Sequence, residues 1–168
     1  MNPHNPSLHE QSLEAARQGN TGALALAIKA GLDCNLTDLK GDSLLMLAAY
    51  HGHPQTVELL LDNGADPNLT NAKGQHPLTG ASYKGQTDIV KALLAHGADP
   101  EGGTGGATGR RSPLMYAALY NHVQVLRALL DAGADPARRS ADGEDALSLA
   151  RSRDAVYCIE LLDPTWTA

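Results

Sequence analysis

The sequence predicts an all-α solenoid of stacked helix-turn-helix units with projecting turn fingers. Three observations predict it. Gly64-Ala65-Asp66-Pro67 returns 33 residues later as Gly97-Ala98-Asp99-Pro100, and 36 after that as Gly133-Ala134-Asp135-Pro136. The stretch Ala48-Ala49-Tyr50-His51-Gly52-His53 returns with the same two shifts, near Ala81 and Ala117. Apolar runs beginning at Val57, Val90 and Val125 hold the same relative place to within one residue. Independent probes that agree on one period mark a repeat architecture, in which each unit buries its apolar face only against its neighbours.

The units are read in order as about 8–37, 38–70, 71–106, 107–141 and 142–163, one domain over 8–163, between a flexible N-terminus (1–7) and a short tail (164–168). The first unit is rich in polar residues (His9, Glu10, Gln11, Glu14), as an end layer facing water needs. In the second, Ser43 caps a helix through Leu45, Ala48 and Ala49 by accepting from its free N–H groups. Gly52 ends that helix, and a Val-x-x-Leu-Leu helix follows, closed by Gly64. The third starts its first helix with Pro77 at the first helical position and ends it at Gly85. The fourth uses Ser112, Pro113 and Asn121 in these places; Asn tolerates the left-handed conformation better than most residues. The fifth keeps Leu147, Ala150, Ile159 and Leu161, sets Arg151 in place of the second alanine, and has Asp154 at the glycine position. Trp166 is expected to fold back over the end layer.

These units resemble ankyrin repeats, over about residues 8–163. The residues that carry the resemblance are Ser43-Leu44-Leu45-Met46, His76-Pro77-Leu78-Thr79, Ser112-Pro113-Leu114-Met115 and Asp145-Ala146-Leu147-Ser148, with the double alanine, the Val-x-x-Leu-Leu run and Gly-Ala-Asp. The Asp-Pro variant is similar to that of small bacterial members. The resemblance implies a non-enzymatic module that binds a partner protein or peptide as adaptor or inhibitor. Recognition would use the finger tips and the solvent-facing end of each first helix.

Composition narrows the alternatives. The 168 residues carry 13 Lys+Arg against 19 Asp+Glu, a formal charge of -6, which disfavours nucleic acid and anionic membrane as partners. No run approaches the roughly 20 apolar residues of a membrane span, and no signal peptide is visible at Met1. A cytoplasmic, reduced setting and a monomer in isolation are the expectations. Cys34 and Cys158 belong to opposite ends of the array, too far apart to bridge. Asn35-Leu36-Thr37 and Asn68-Leu69-Thr70 read as chance sequons. His51 and His53 lack the spacing of a helical zinc pair, and neither a cofactor motif nor a nucleophile elbow is present. His53 and His122, beside the turn between the two helices, read as structural hydrogen-bonders.

The longer interval after the third unit places extra residues in a glycine-rich finger, 102–111, ending in Arg110 and Arg111. An insertion there costs little, because loop closure grows slowly with length. Arg110 stands where a turn glycine is usual, so a different turn is expected. The finger could serve a small-molecule or nucleotide binder, although no register of it satisfies a P-loop or a dinucleotide fingerprint. The resemblance maps the partner-facing tips onto Lys40, Asp42, Lys73, Gln75, Arg110 and Arg111. It maps the inner-helix ends onto Tyr50, His51, Tyr83, Lys84, Leu119, Tyr120 and Arg153. Three of only five tyrosines fall on this stripe, and Tyr and Arg often dominate interface energy. Packing of these rings against neighbouring helices is the alternative. The net charge favours a basic partner, whereas Lys40, Lys73, Lys84, Arg110 and Arg111 make this face locally more basic than the chain.

Overall fold

The computed structural model describes residues 7–103 and 111–165. Arg110 and Trp166, with most of the glycine-rich finger, lie outside the described residues. Ten helices run in order among those described: α1 (Leu8–Gln18), α2 (Thr21–Lys29), α3 (Leu44–His51), α4 (Pro54–Asp62), α5 (Pro77–Lys84), α6 (Thr87–Ala95), α7 (Pro113–Leu119), α8 (Val123–Asp131), α9 (Ala146–Ser152) and α10 (Val156–Leu162). Consecutive helices pair, the odd-numbered ones pack in one row and the even-numbered ones in a second. An isolated bridge between Thr37 and Ser43 is the β-pairing among these residues. The protein is an all-α repeat solenoid. No helix among the described residues is long and apolar enough to cross a membrane.

Local chemistry sets each helix start. The Oγ of Ser43 accepts from the Met46 N–H at 3.1 Å and that of Ser112 from the Met115 N–H at 3.3 Å, while an Asp145 carboxylate oxygen accepts from the Ser148 N–H at 2.8 Å. Ser7 and Glu10 form a reciprocal capping box on α1. Pro77 and Pro113 occupy the first helical positions, where a missing N–H leaves no hydrogen bond unmade. At the corresponding start of α5, His76 makes no side-chain cap bond.

The double alanines explain the close row of odd-numbered helices. Ala16, Ala48, Ala49, Ala81, Ala117, Ala118 and Ala150 are completely buried, and so is Ser82 in the same register. Small side chains let neighbouring helices approach, and the Leu, Ile and Val of the even-numbered helices fill the space behind them. Leu24, Leu60, Leu93, Leu126 and Leu129 form that second line of the core. Cys34 and Cys158 are free and buried, and burial pushes the Cys158 thiol up to about 11.

Layers are joined by two ladders of hydrogen bonds. At the turns between paired helices, the His53 ring Nε2 lies 2.8 Å from the Arg17 carbonyl and that of His122 lies 3.1 Å from the Tyr83 carbonyl. Gln86 holds the same place between them, its carboxamide against the Ala49 carbonyl and the Gly52 N–H. At the opposite turns, the Asn35 side-chain oxygen accepts from the Asp66 N–H at 2.7 Å, and that of Asn68 accepts from the Asp99 N–H at 2.8 Å. Both asparagines of the chance sequons are therefore structural.

Candidate functional site

The fingers between layers are built by short polar side chains that fold the backbone onto themselves. One Asp38 carboxylate oxygen accepts from the N–H groups of Lys40 and Asp42, at 2.8 and 3.0 Å. The Asn71 side-chain oxygen does the same for Lys73 and Gln75, at 2.9 and 3.0 Å. The two fingers are tied to each other by Ala72 N–H donating to the Lys40 carbonyl at 2.9 Å, and by the Asn71 amide donating to Asp42 at 2.7 Å. They stand beside the row of α3, α5 and α7.

Between the fingers and that row lies a groove of about 530 Å³. Lys40, Asp42 and Gln75 line one side, and Tyr50, His51 and Tyr83 the other. One end is closed by Arg17, whose guanidinium meets the Asp38 carboxylate at 3.0 Å. The tyrosines are neither sealed in nor free: Tyr50, Tyr83 and Tyr120 are 46%, 40% and 44% exposed. Tyr83 packs edge-on against Tyr120 and Tyr116, with ring centroids 5.0 and 5.8 Å away. The Lys84 ammonium lies 4.8 Å from the Tyr50 ring centre and 5.8 Å from that of Tyr83, within reach of a cation–π attraction. The rings thus brace one another while keeping an outer surface.

Not every residue of the predicted set joins this face. Leu119 is a correction: it is 7% exposed and belongs to the core cluster. Its place in the repeat is that of Tyr50 and Tyr83, but an apolar side chain without a polar tip gains by turning inward. Arg111 forms a forked pair with Glu144 of the following finger, at 2.9 and 3.0 Å, so its guanidinium is committed within the fold. Lys73 is exposed at its finger tip. Tyr120 adjoins the groove through Tyr83, and exposed Arg153, at the end of α9, does not line it. Among the described residues, no group of three or more His, Cys, Asp or Glu side chains is placed to hold a metal ion.

Sequence reasoning passed over Tyr116 and Gly80, both of which line the groove. The signal that marks them is the repeat register itself, because Gly80 lies 33 residues after Leu47 and 36 before Tyr116. It passed over His76 too, a buried ring whose Nδ1 has no partner among the described residues and which packs directly against Gly103. Burial holds the His76 imidazole below its ordinary value; a backbone hydrogen bond at Asn68 and the charges of Asp99 and Asp66 oppose that shift.

Two family models match the chain: one for three copies of ankyrin repeats over residues 13–104, and one for a single ankyrin repeat over residues 110–141. A protein of Pseudomonas aeruginosa named as an ankyrin repeat protein is 56% identical over 43 residues, which cover 26% of this chain and 25% of that protein.

Proposed function

The chain belongs to the ankyrin repeat family, and from that premise we propose that it is a non-enzymatic adaptor or inhibitor that grips a partner protein in the groove beside α3, α5 and α7. Ankyrin repeats are generally protein–protein interaction modules. One observation carries the reading: Tyr50 and Tyr83 keep nearly half their surface open on a groove of about 530 Å³. Aromatic rings already held in place lose little freedom on binding and bury much area, which is what an interface anchor requires. His51, Lys84 and Tyr120 flank them, and Lys40, Asp42, Lys73 and Gln75 supply the polar rim.

The test is affinity measured beside stability. A partner captured from the native host and identified by mass spectrometry is titrated against the wild type, Tyr50→Ala and the remote surface variant Glu160→Ala. Tyr50→Ala is expected to weaken binding about thirtyfold, the effect of an anchor worth about 2 kcal/mol, with the melting temperature within a few degrees of wild type. Glu160→Ala should bind normally. Unchanged affinity of Tyr50→Ala would move the interface elsewhere.

A further inference from the structure

Most glycines at close contacts in this fold are forced. Gly19, Gly52, Gly85 and Gly103 have positive φ, and a side chain on any of them would strike a His or Gln of a neighbouring layer. Gly80 is different. It lies inside α5 with ordinary helical backbone, and a Cβ built on it would sit 3.6 Å from Tyr50 Cδ2, an ordinary contact. Neither conformation nor space requires glycine there. It nevertheless weakens the helix by about 1 kcal/mol relative to alanine. Its register partners Leu47, Tyr116 and Leu149 are all large. Gly80 lines the groove together with Tyr50, Tyr83 and Tyr116, and we read the missing side chain among these rings as a notch.

Charge identifies what fits over the notch. Arg17 and Asp38 neutralise each other at the groove end. Asp42 is engaged by the Asn71 amide. Lys40, Lys73 and Lys84 make no ion pair among the described residues, and Lys84 is held over the tyrosine rings beside the notch. With Arg111 paired to Glu144, and Lys40 set against Asp42 in the groove lining, the Lys84 ammonium over Tyr50 is left as the excess charge beside the notch. The local field is therefore positive although the whole chain carries -6.

Resting on the groove reading above, we propose that the occupant is an acidic linear peptide segment of the partner. One bulky apolar side chain enters the Gly80 notch, and a neighbouring carboxylate meets the Lys84 ammonium. The apolar side chain displaces water from three ring faces, and the carboxylate meets a cation already fixed in place.

A phage-displayed library of random dodecapeptides, selected on the wild-type protein, tests this. Enriched peptides are resynthesised with capped ends and a fluorescent label and titrated by anisotropy. The expected peptides carry Asp or Glu within a few residues of a large apolar residue. Gly80→Ala should bind within about threefold of wild type and melt higher, because alanine is the better helix former. Gly80→Leu, which fills the notch, should weaken binding about thirtyfold or more, and its melting curve shows whether the fold is intact. Lys84→Glu, on the surface, should weaken binding at least tenfold, and about 0.5 M salt should act in the same direction. Enriched basic peptides, no enrichment, or wild-type affinity in folded Gly80→Leu or in Lys84→Glu would overturn the proposal. Peptides lost with Tyr50→Ala but indifferent to both other variants would remove the notch and leave the groove. Peptides indifferent to Tyr50→Ala as well would remove the groove reading.

Discussion

The first three layers and the last two build the same architecture with different chemistry. In the first three, the turns between paired helices use Gly19, Gly52 and Gly85, and the next layer presses His53, Gln86 and His122 onto them. In the fourth and fifth, Asn121 and Asp154 adopt the same left-handed conformation, with φ of 57° and 52°. The residue facing Asn121 by register is Ala155, not a ring. Glycine is thus compulsory only where the following layer fills the space a Cβ would take; where that layer is small, Asn suffices. The outer ladder changes at the same place. Asn35 and Asn68 bridge to backbone groups 31 residues on, whereas Glu101 reaches Asp135, 34 residues on, and adds an ion pair to Arg138 at 2.6 Å. The sequence interval there is longer by the extra residues of the glycine-rich finger, and a charged side chain takes the place of the asparagine. The periodicity of the solenoid specifies where layers meet, while the bonds across each junction are interchangeable.

The sharpest way to break that comparison is to exchange the turn residues. Gly85→Asn should destabilise by about 3 kcal/mol or more in denaturant unfolding. A Cβ there would lie 2.6 Å from the His122 ring, and positive φ adds strain. Removing the ring in Gly85→Asn/His122→Ala should recover part of the loss, the signature of coupled neighbours. A simple sum of the two single effects would deny that the ring is what makes glycine necessary.

Next in size is the outer ladder. Asn68→Ala removes acceptance from the Asp99 N–H and donation to the Gly97 carbonyl. It should lower stability by about 1–2 kcal/mol, equally at low and high salt. Glu101→Gln keeps an acceptor and removes the charge from a partly exposed pair. Its loss should be about 1 kcal/mol or less and should shrink as salt rises. Equal salt dependence of the two variants would erase the chemical difference between the halves.

The smallest effect separates the capped starts of the other odd-numbered helices from α5, which lacks a side-chain cap. Ser43, Ser112 and Asp145 cap α3, α7 and α9, whereas α5 starts at His76, a buried base with depressed proton affinity. The folded protein disfavours protonated His76. Its contribution to stability is therefore complete above the unfolded-state value of about 6.5 and declines as pH falls from there towards the lower folded value. Unfolding titrations from about pH 7.5 to 5 should show that decline in the wild type and less of it in His76→Gln. A parallel pair of curves would assign the pH dependence to other groups.

Much was legible in the chain because a solenoid repeats its reasons. The 33-residue period, the capping serines, the first-turn prolines and the αL positions at Asn121 and Asp154 each follow from local backbone chemistry, which depends on neighbours within a few residues. So did the structural role of His53 and His122. Gln86 in the same place escaped notice because its residue type differs while its geometry does not. Leu119 shows the opposite failure: its register is that of the tyrosine stripe, yet its apolar side chain is buried.

The sequence by itself determined the layer count, the helix starts and stops, and the face on which the tyrosines stand, because these are set by periodicity and short-range hydrogen bonding. Only the tertiary structure decided which charges are spent on each other, which glycines are compulsory, and that Gly80 lines one groove with three tyrosine rings. Those properties depend on distances between residues about 30 positions apart, fixed only when one layer packs against the next.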